Sequence, residues 1–173
     1  MAKKSIEHLD LTKFERVPPY NLEAEQSLLG AMLLSPEATS EIIEKIKPED
    51  FYREAHRLIF EAISKLFLNG EPADPITVAA ELEHSGQLEK AGGKPYLLNL
   101  VNIVPTAANA PYYAEILQKL AVFRSLILAA TKIASLGYEA PEDVEQAIDK
   151  AESLIFEVSK KRISEKFFHI NDL

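Results

Sequence analysis

The stretch PYYAEILQKLAVFRSLILAATKIASLGYEAPEDVEQAIDKAESLIFEVSKKR, residues 111–162, decides the fold of this chain. Its apolar residues recur three and four positions apart, a spacing that keeps side chains on one face of an α-helix. The segment GYEAP, residues 137–141, interrupts this pattern. Glycine ends helices readily and proline does not continue them, so the stretch predicts two long helices joined by a short turn, a helical hairpin.

The first helix of the predicted hairpin carries two apolar seams on different sides. The first seam is Tyr113, Ile116, Leu120, Phe123, Ile127, Ala130 and Ala134, and the second seam is Val122, Leu126, Ala129, Ile133 and Leu136. The second helix has a single stripe, Val144, Ala147, Ile148, Ala151, Leu154, Ile155 and Val158. One stripe can cover only one seam, so the other needs a partner outside the hairpin. We predict that the subunit interface is formed by Tyr113, Ile116, Leu120, Phe123 and Ile127.

Residues 17–104 predict a compact bundle of five shorter helices upstream of the hairpin. Asn21, Ser35 and Asp74 are residue types that are favoured at helix N-caps, and proline directly follows Ser35 and Asp74. No segment shows the alternation of apolar and polar residues that is typical of a strand. The predicted fold is therefore all-α, a small globular helical bundle followed by a long antiparallel helical hairpin. We expect residues 1–16 to form a flexible arm and residues 105–162 to form the hairpin.

Composition restricts the chemistry that is open to the chain. Its 173 residues include no cysteine, which excludes disulfides, thiol nucleophiles and thiolate metal sites. The net charge is −8, whereas nucleic-acid binding depends on lysine and arginine that neutralise phosphates. No apolar run approaches the roughly 20 residues of a membrane span. We expect a soluble cytoplasmic protein with no membrane partner and little direct DNA binding.

A search for catalytic or ligand-binding residues predicts none. The histidines His8, His56, His84 and His169 have no second histidine three to five residues away, so no helical metal pair exists. We interpret His56 as a packed, hydrogen-bonded structural residue. Gly92-Gly93-Lys94 lacks the preceding glycine and the following serine or threonine of a phosphate loop. We expect no catalytic, cofactor-binding or metal-binding residue.

Charged residues are interpreted mainly as solvated surface. Carboxylates such as Glu23 and Glu25 are assigned to solvent faces or to first helical turns, where the helix dipole favours them. Lys160-Lys161-Arg162 is interpreted as favourable charge near a helix C-terminus. Phe156 is a large ring on the charged side of the last helix, which makes it a candidate partner contact. Packing of this ring against another part of the chain is an equal alternative.

Several stretches in chain order carry a resemblance to a known family. They are VPPYNLEAEQSLLGAMLL at 17–34, DFYREAHRLIF at 50–60, GGKPYLLNL at 92–100, PTAANAPYYAEIL at 105–117 and AESLIF at 151–156. Together they resemble the amino-terminal domain of replicative hexameric DNA helicases of the bacterial DnaB type. The resemblance covers residues 17–162.

The resemblance implies an assembly and docking function. In that family the hairpins pair, three pairs form a collar over a ring of motor domains, and the collar binds the carboxy-terminal domain of primase. A helicase loader is a further candidate partner. The ATP-binding motor lies downstream, so residues 163–173 are expected to begin the linker to a motor domain that this chain lacks. ATP and Mg²⁺ are implied for the full-length helicase, and the fragment itself is expected to be non-catalytic.

Two alternatives stay open. One is a monomeric helical adaptor whose second seam packs on its own globular part. The other is a small all-α enzyme, which is disfavoured because no polar constellation is found. Because motor domains contribute much of a helicase ring, dimers through the hairpin are expected first, and trimers of dimers, a hexamer, at high concentration.

Overall fold

The structure, a computed structural model, describes the backbone of residues 16–168 and the side chains of residues 16–161. Apart from Arg16, the predicted arm lies outside these residues, as do residues 169–173 of the predicted linker. The described part contains helices and no strand, which confirms the all-α prediction. The helices are α1 (Leu22–Leu34), α2 (Pro36–Ile43), α3 (Glu54–Leu68), α4 (Pro75–His84), α5 (Gly93–Ile103), α6 (Ala110–Glu139) and α7 (Val144–Phe168).

The helix starts in the bundle follow the predicted caps. The side-chain oxygen of Asn21 accepts the N–H of Ala24 at 2.9 Å, and that of Ser35 accepts the N–H of Ala38 at 3.1 Å. Asp74 caps α4 in the same way. Each cap gives an otherwise unpaired N–H group of the first turn an acceptor. Local hydrogen bonding therefore sets where these helices begin.

Helix α1 lies at the centre of the bundle. Leu28, Leu29 and Met32 are fully buried, and α1 packs against α2, α3, α5 and α6. Gly30 faces α5 so closely that an added Cβ atom would lie 2.2 Å from the carbonyl oxygen of Leu100. This close approach of two backbones requires glycine at position 30.

The first turns of α6 belong to the bundle rather than to a separate hairpin. Ala110, Ala114, Leu117 and Ala121 are buried at spacings of four, three and four, and the first three are part of the bundle's hydrophobic core. These residues form a third stripe that the sequence analysis did not separate from the two seams. The hydrophobic core of the bundle therefore includes the first turns of α6, which lie beyond the predicted boundary at residue 105.

The ends of the hairpin helices differ from their predicted positions. Helix α6 continues through Gly137 and ends at Glu139, where Ala140 adopts a left-handed conformation with φ 44° and ψ 60°. Asp143 then accepts the N–H of Gln146 at 3.0 Å at the start of α7. Helix α7 extends to Phe168, past the expected end at residue 162 and into the predicted linker. The helix therefore continues beyond the residue at which the hairpin was expected to end.

Helix α6 is also more apolar than the sequence analysis allowed. The segment 107–139 is long and apolar enough to cross a membrane by length and composition, and its apolar window of 18 residues has a mean hydropathy of 1.5. The expectation that nothing in the chain approaches a membrane span was therefore wrong. It considered uninterrupted apolar runs, whereas the apolar residues of α6 are distributed over three stripes. Only 11% of this window is buried within the structure, so most of the window is accessible at least in part.

Candidate interaction surface on the hairpin

Helix α7 covers the second seam of α6. Val122, Ala129 and Ile133 are buried or half-buried along this seam, whereas Leu126 at its edge stays exposed. The half-buried apolar residues of α7 are Ala147, Ala151, Leu154 and Val158, again four and three apart. The sequence had left open which seam packs inside the hairpin, and the structure assigns the second.

The first seam is exposed over most of its length. Ile116, Phe123 and Ile127 are exposed, Phe123 to 56%, and Leu120 is half-buried. Tyr113 differs, because it packs against the hydrophobic core of the bundle. A seam spaced at 3.5 residues drifts by about 20° per heptad around a helix with 3.6 residues per turn. This drift turns Tyr113 toward the bundle, so it is poorly placed for the interface predicted for it.

Helix α7 extends this exposed surface. In an antiparallel pair of helices, equivalent flanks of the two helices lie on the same side of the pair. Phe123 and Leu126 lie on one flank of α6. Ile148 and Ile155 lie on the equivalent flank of α7, so all four residues are on the same side. We call this surface the apolar face, which consists of Ile116, Phe123, Leu126, Ile127, Ile148 and Ile155. A contiguous exposed apolar surface marks an interaction site in a soluble protein.

Phe156 lies outside the apolar face. Its side chain is 59% exposed, and Nζ of Lys160 lies 5.0 Å from the ring centroid. A cation over an aromatic ring contributes a weak attraction at an exposed site. The ring is accessible to a partner, and its role as a contact stays a prediction.

Arg124 fixes the root of the hairpin to the bundle. Its guanidinium donates to the carbonyl oxygen of Pro19 at 2.9 Å and to that of Asp50 at 2.6 Å. The same group lies 5.8 Å from the ring centroid of Tyr52, which stacks on Tyr20 at 4.4 Å. One side chain of α6 therefore joins the segment before α1 to the turn before α3, and it does so where α6 leaves the bundle.

Burial changes the acid–base properties of this root. Burial lowers the pKa of Arg124, while the carboxylate of Glu25 opposes that change. Burial also raises the pKa of Asp50, against the hydrogen bond that its carboxylate accepts from the N–H of Lys47. Arginine stays protonated in proteins, so Arg124 supplies a permanent positive charge next to the partly buried Asp50.

A hydrogen-bonded network of polar side chains crosses the interior of the bundle. Glu25 is 1% exposed and accepts the N–H of Tyr52 at 2.5 Å, and its second oxygen lies 2.5 Å from Nδ1 of His56. Nε2 of His56 lies 2.7 Å from the hydroxyl of Tyr96, to which Gln26 donates at 3.1 Å. With the histidine proton on Nδ1, that N–H donates to Glu25 and the hydroxyl of Tyr96 donates to Nε2.

This polar network connects α1, α3 and α5 and does not form an accessible reactive site. His56 is 0% exposed, so no substrate reaches its ring. The prediction that His56 is a packed, hydrogen-bonded structural residue is confirmed. Within residues 16–161, no group of three or more acidic or histidine side chains is placed to hold a metal ion.

Two residues of the root and the core were missed from the sequence. Glu25 was assigned to the solvated first turn of α1, which was wrong, because it is buried. A signal for its burial existed, since it lies three and four residues before Leu28 and Leu29 and so on the same helix face. For Arg124 no such signal was present, because its acceptors are backbone carbonyls 105 and 74 positions away.

The described residues form an all-α bundle with an exposed hairpin, and comparison with known proteins assigns the family. The family model described as the DnaB-like helicase N terminal domain matches residues 17–119. The chain belongs to this family.

Relatives and solved structures agree with this assignment. The chain is 46% identical over 162 residues to the replicative DNA helicase DnaB of Mycobacterium leprae, which covers 92% of the chain and 27% of that protein. It is 46% identical over 159 residues to the replicative DNA helicase DnaB of Geobacillus stearothermophilus, which covers 92% of the chain and 35% of that protein. The chain thus spans about a quarter to a third of the length of these relatives.

Two solved structures extend the comparison to the fold. The crystal structure of the N-terminal domain of DnaB helicase from Mycobacterium tuberculosis matches with a TM-score of 0.79 and 48% identity, over 82% of this chain and 99% of that one. A structure titled as a DnaB-like replicative helicase and its interactions with primase matches with a TM-score of 0.66 and 25% identity. That match covers 80% of this chain and 31% of the other.

Proposed function

We propose that this chain is the oligomerisation and primase-docking domain of a replicative DNA helicase that unwinds DNA at the replication fork in the cytoplasm. The observation that carries the proposal is the apolar face, which is exposed on a domain of the DnaB-like N-terminal family. The fold neighbour whose title describes interactions with primase supports the docking part.

Self-pairing is the simplest use of the apolar face. Burial of apolar surface contributes roughly 25 cal/mol per Å², and stable interfaces bury about 1,200–2,000 Å² in total. Only the surplus over the loss of translational and rotational freedom remains as affinity. We expect dimers through the face that includes Phe123 and Ile127, and trimers of dimers, a hexamer, at higher concentration.

The paired hairpins then present a composite surface to the carboxy-terminal domain of primase, and a helicase loader is a second candidate partner. ATP and Mg²⁺ are expected to act in the motor part of the full-length helicase and not in this domain. The domain described here assembles and docks without carrying out the chemical step.

Replacing Phe123 with aspartate tests self-pairing. A carboxylate at the centre of the apolar face would be desolvated on pairing, so Phe123→Asp is expected to weaken the dimer at least about 30-fold, which corresponds to ~2 kcal/mol. Multi-angle light scattering over a concentration series measures the dissociation, and circular dichroism checks that helix content is unchanged. A strict monomer for the unmodified chain at high concentration contradicts the proposal and favours the monomeric adaptor.

Leu98→Asp provides the matched control, since Leu98 is an exposed apolar residue of α5 in the bundle. It introduces the same charge and should leave the dimer intact. Equal dissociation by both variants would show a general charge effect and remove the apolar face as the interface.

Two further measurements separate the alternatives. Isothermal titration of the unmodified chain with the carboxy-terminal domain of primase should show saturable binding, and its absence contradicts the docking part. ATP turnover above background would favour the small enzyme. Flotation of the chain with lipid vesicles would show that the apolar residues of α6 face a membrane instead of a second subunit.

A further inference from the structure

The hairpin has a second surface on the side opposite the apolar face. Two adjoining clefts of about 470 and 500 Å³ lie along it, and both are lined by Lys132, Leu154 and Glu157. The first cleft begins near the bundle at Lys47 and Ser125, and the second extends toward Leu136 and Gln146. Together they form one continuous groove between α6 and α7, which we call the basic groove.

The floor of the basic groove is apolar and partly exposed. It consists of Leu128, Ala129, Leu136, Leu154 and Val158. Leu128 is 56% exposed although the second seam next to it is covered by α7. From Ser125 to Leu136 the groove follows α6 for roughly 16 Å at 1.5 Å per residue. This length accommodates about three turns of another helix.

The rim of the groove is positively charged in a chain whose net charge is −8. Its lysines are Lys47, Lys132, Lys150, Lys160 and Lys161, against the acids Asp149 and Glu157. Lys160 lies 3.4 Å from Glu157, and Lys161 donates to the hydroxyl of Ser125 at 3.0 Å. Lys47, Lys132 and Lys150 form no ion pair with another residue of the described chain. Five lysines against two acids leave an excess of positive charge here, which Glu157, Asp149 and the nearby Asp50 compensate only in part.

We propose that the basic groove binds an acidic amphipathic helix of a partner protein. A groove between two helices accepts the apolar side of a third helix, as in other helix-in-groove complexes. The apolar floor takes the partner's apolar stripe, and the lysines of the rim face its carboxylates. The groove lies on the flank opposite the apolar face, so the proposal does not depend on self-pairing.

Nucleic acid fits the same surface less well. Single-stranded nucleic acid is held by aromatic side chains that stack on bases together with basic residues that follow the backbone. No aromatic residue lines either described cleft. A phosphate backbone also leaves the exposed Leu128 without a partner, whereas a leucine or isoleucine of an amphipathic helix covers it.

Fluorescence anisotropy with a designed helical peptide tests the proposal. The probe is a labelled peptide of about 15 residues with leucine on one helical face and glutamate on the other. The double variant Lys132→Glu with Lys161→Glu should lower its affinity at least about tenfold, because two attractive contacts become repulsive. The control double variant, Lys90→Glu with Lys119→Glu, makes the same change in net charge away from the groove and should stay within about twofold.

The apolar floor is tested separately from the charges. Leu128→Asp should also lower the affinity for the acidic peptide. A peptide with lysine in place of glutamate should not bind to the unmodified protein. In two-dimensional NMR spectra of the unmodified protein, the acidic peptide should change the chemical shifts of the backbone amides of Leu128, Lys132 and Leu154. The amide shift of Phe123 should stay unchanged. This readout needs no variant, so it holds even where a substitution affects folding.

Several outcomes overturn the proposal. Equal weakening by the control variant would show non-specific charge attraction. Tighter binding of a 20-nucleotide oligothymidine than of the peptide at the same salt concentration would assign the groove to nucleic acid. Loss of self-association in the groove variant would assign the groove to a second copy of this chain.

Discussion

At the scale of single residues, the buried carboxylate of Glu25 is the most demanding feature of the bundle. A carboxylate leaves water at a high free-energy cost unless hydrogen bonds and opposite charge replace the solvent. The backbone N–H of Tyr52 and the ring of His56 supply the hydrogen bonds, and Arg124 supplies the charge. Glu25 thereby joins α1, α3 and the root of α6.

Glu25→Ala should therefore destabilise the domain strongly. It leaves His56 and the N–H of Tyr52 buried without an acceptor, and breaking a buried pair costs about 3–5 kcal/mol. Glu23→Ala is the matched control, since Glu23 is an exposed acid in the same helical turn, and the loss there is less than about 1 kcal/mol. Urea unfolding followed by circular dichroism measures both. Equal losses of unfolding free energy in the two variants would show that the helix dipole, and not the buried hydrogen-bonded network, accounts for the contribution of Glu25.

At the scale of elements, α6 serves three surfaces with three stripes. One stripe that begins with Ala110 and Ala114 packs in the bundle, the second seam packs on α7, and the first seam is exposed. A helix that is apolar on most sides reads as a buried helix or a membrane span until its neighbours are known. The first seam stays exposed because α7 has a single apolar stripe and covers only one side of α6.

The close packing of α1 against α5 depends on the missing side chain of Gly30. Gly30→Ala places a methyl group against the carbonyl of Leu100 and should destabilise the domain by about 1–3 kcal/mol despite the better helix propensity of alanine. Gly137 of α6 has no neighbour within 4 Å of an added Cβ atom, so Gly137→Ala should stabilise by about 0.5–1 kcal/mol. Thermal and urea unfolding compare the two. A stabilised Gly30→Ala variant would show that the helices separate without loss.

At the scale of the whole molecule, the position of the hairpin relative to the bundle determines where both candidate surfaces lie. Arg124 is the contact that bonds α6 to two separate backbone segments at the point of exit. Gln118 adds one more bond, to the carbonyl of Lys45 at 2.9 Å. The hairpin therefore leaves the bundle in a direction set by a few polar contacts in addition to the packing of alanines.

Arg124→Met tests this arrangement, because it keeps an apolar stem and removes the hydrogen bonds. The chain has no cysteine, so cysteines introduced at the exposed positions Ile76 and Tyr138 can carry spin labels on the bundle and the hairpin tip. We expect the distance distribution between the labels to broaden in protein diluted with unlabelled chain, and stability to fall by about 1–3 kcal/mol.

Arg57→Met is the control for this measurement. Arg57 also donates to a backbone carbonyl, that of Phe51 at 2.8 Å, but both groups lie in the bundle. Its loss should leave the distance distribution unchanged. An unchanged distribution in the Arg124 variant would show that packing alone fixes the hairpin.

The sequence by itself determined the elements of this protein: the capped helices, the hairpin, the absence of strand patterns and the family resemblance. Each of these depends on residues within a few positions of one another, such as Asn21 and Ala24, because caps and helical stripes are local. Tertiary structure alone decided the partner of Glu25, 31 positions away, and the acceptors of Arg124. It also decided which seam of α6 remains exposed, because the rotation of a helix about its axis is set by the neighbours on which it packs.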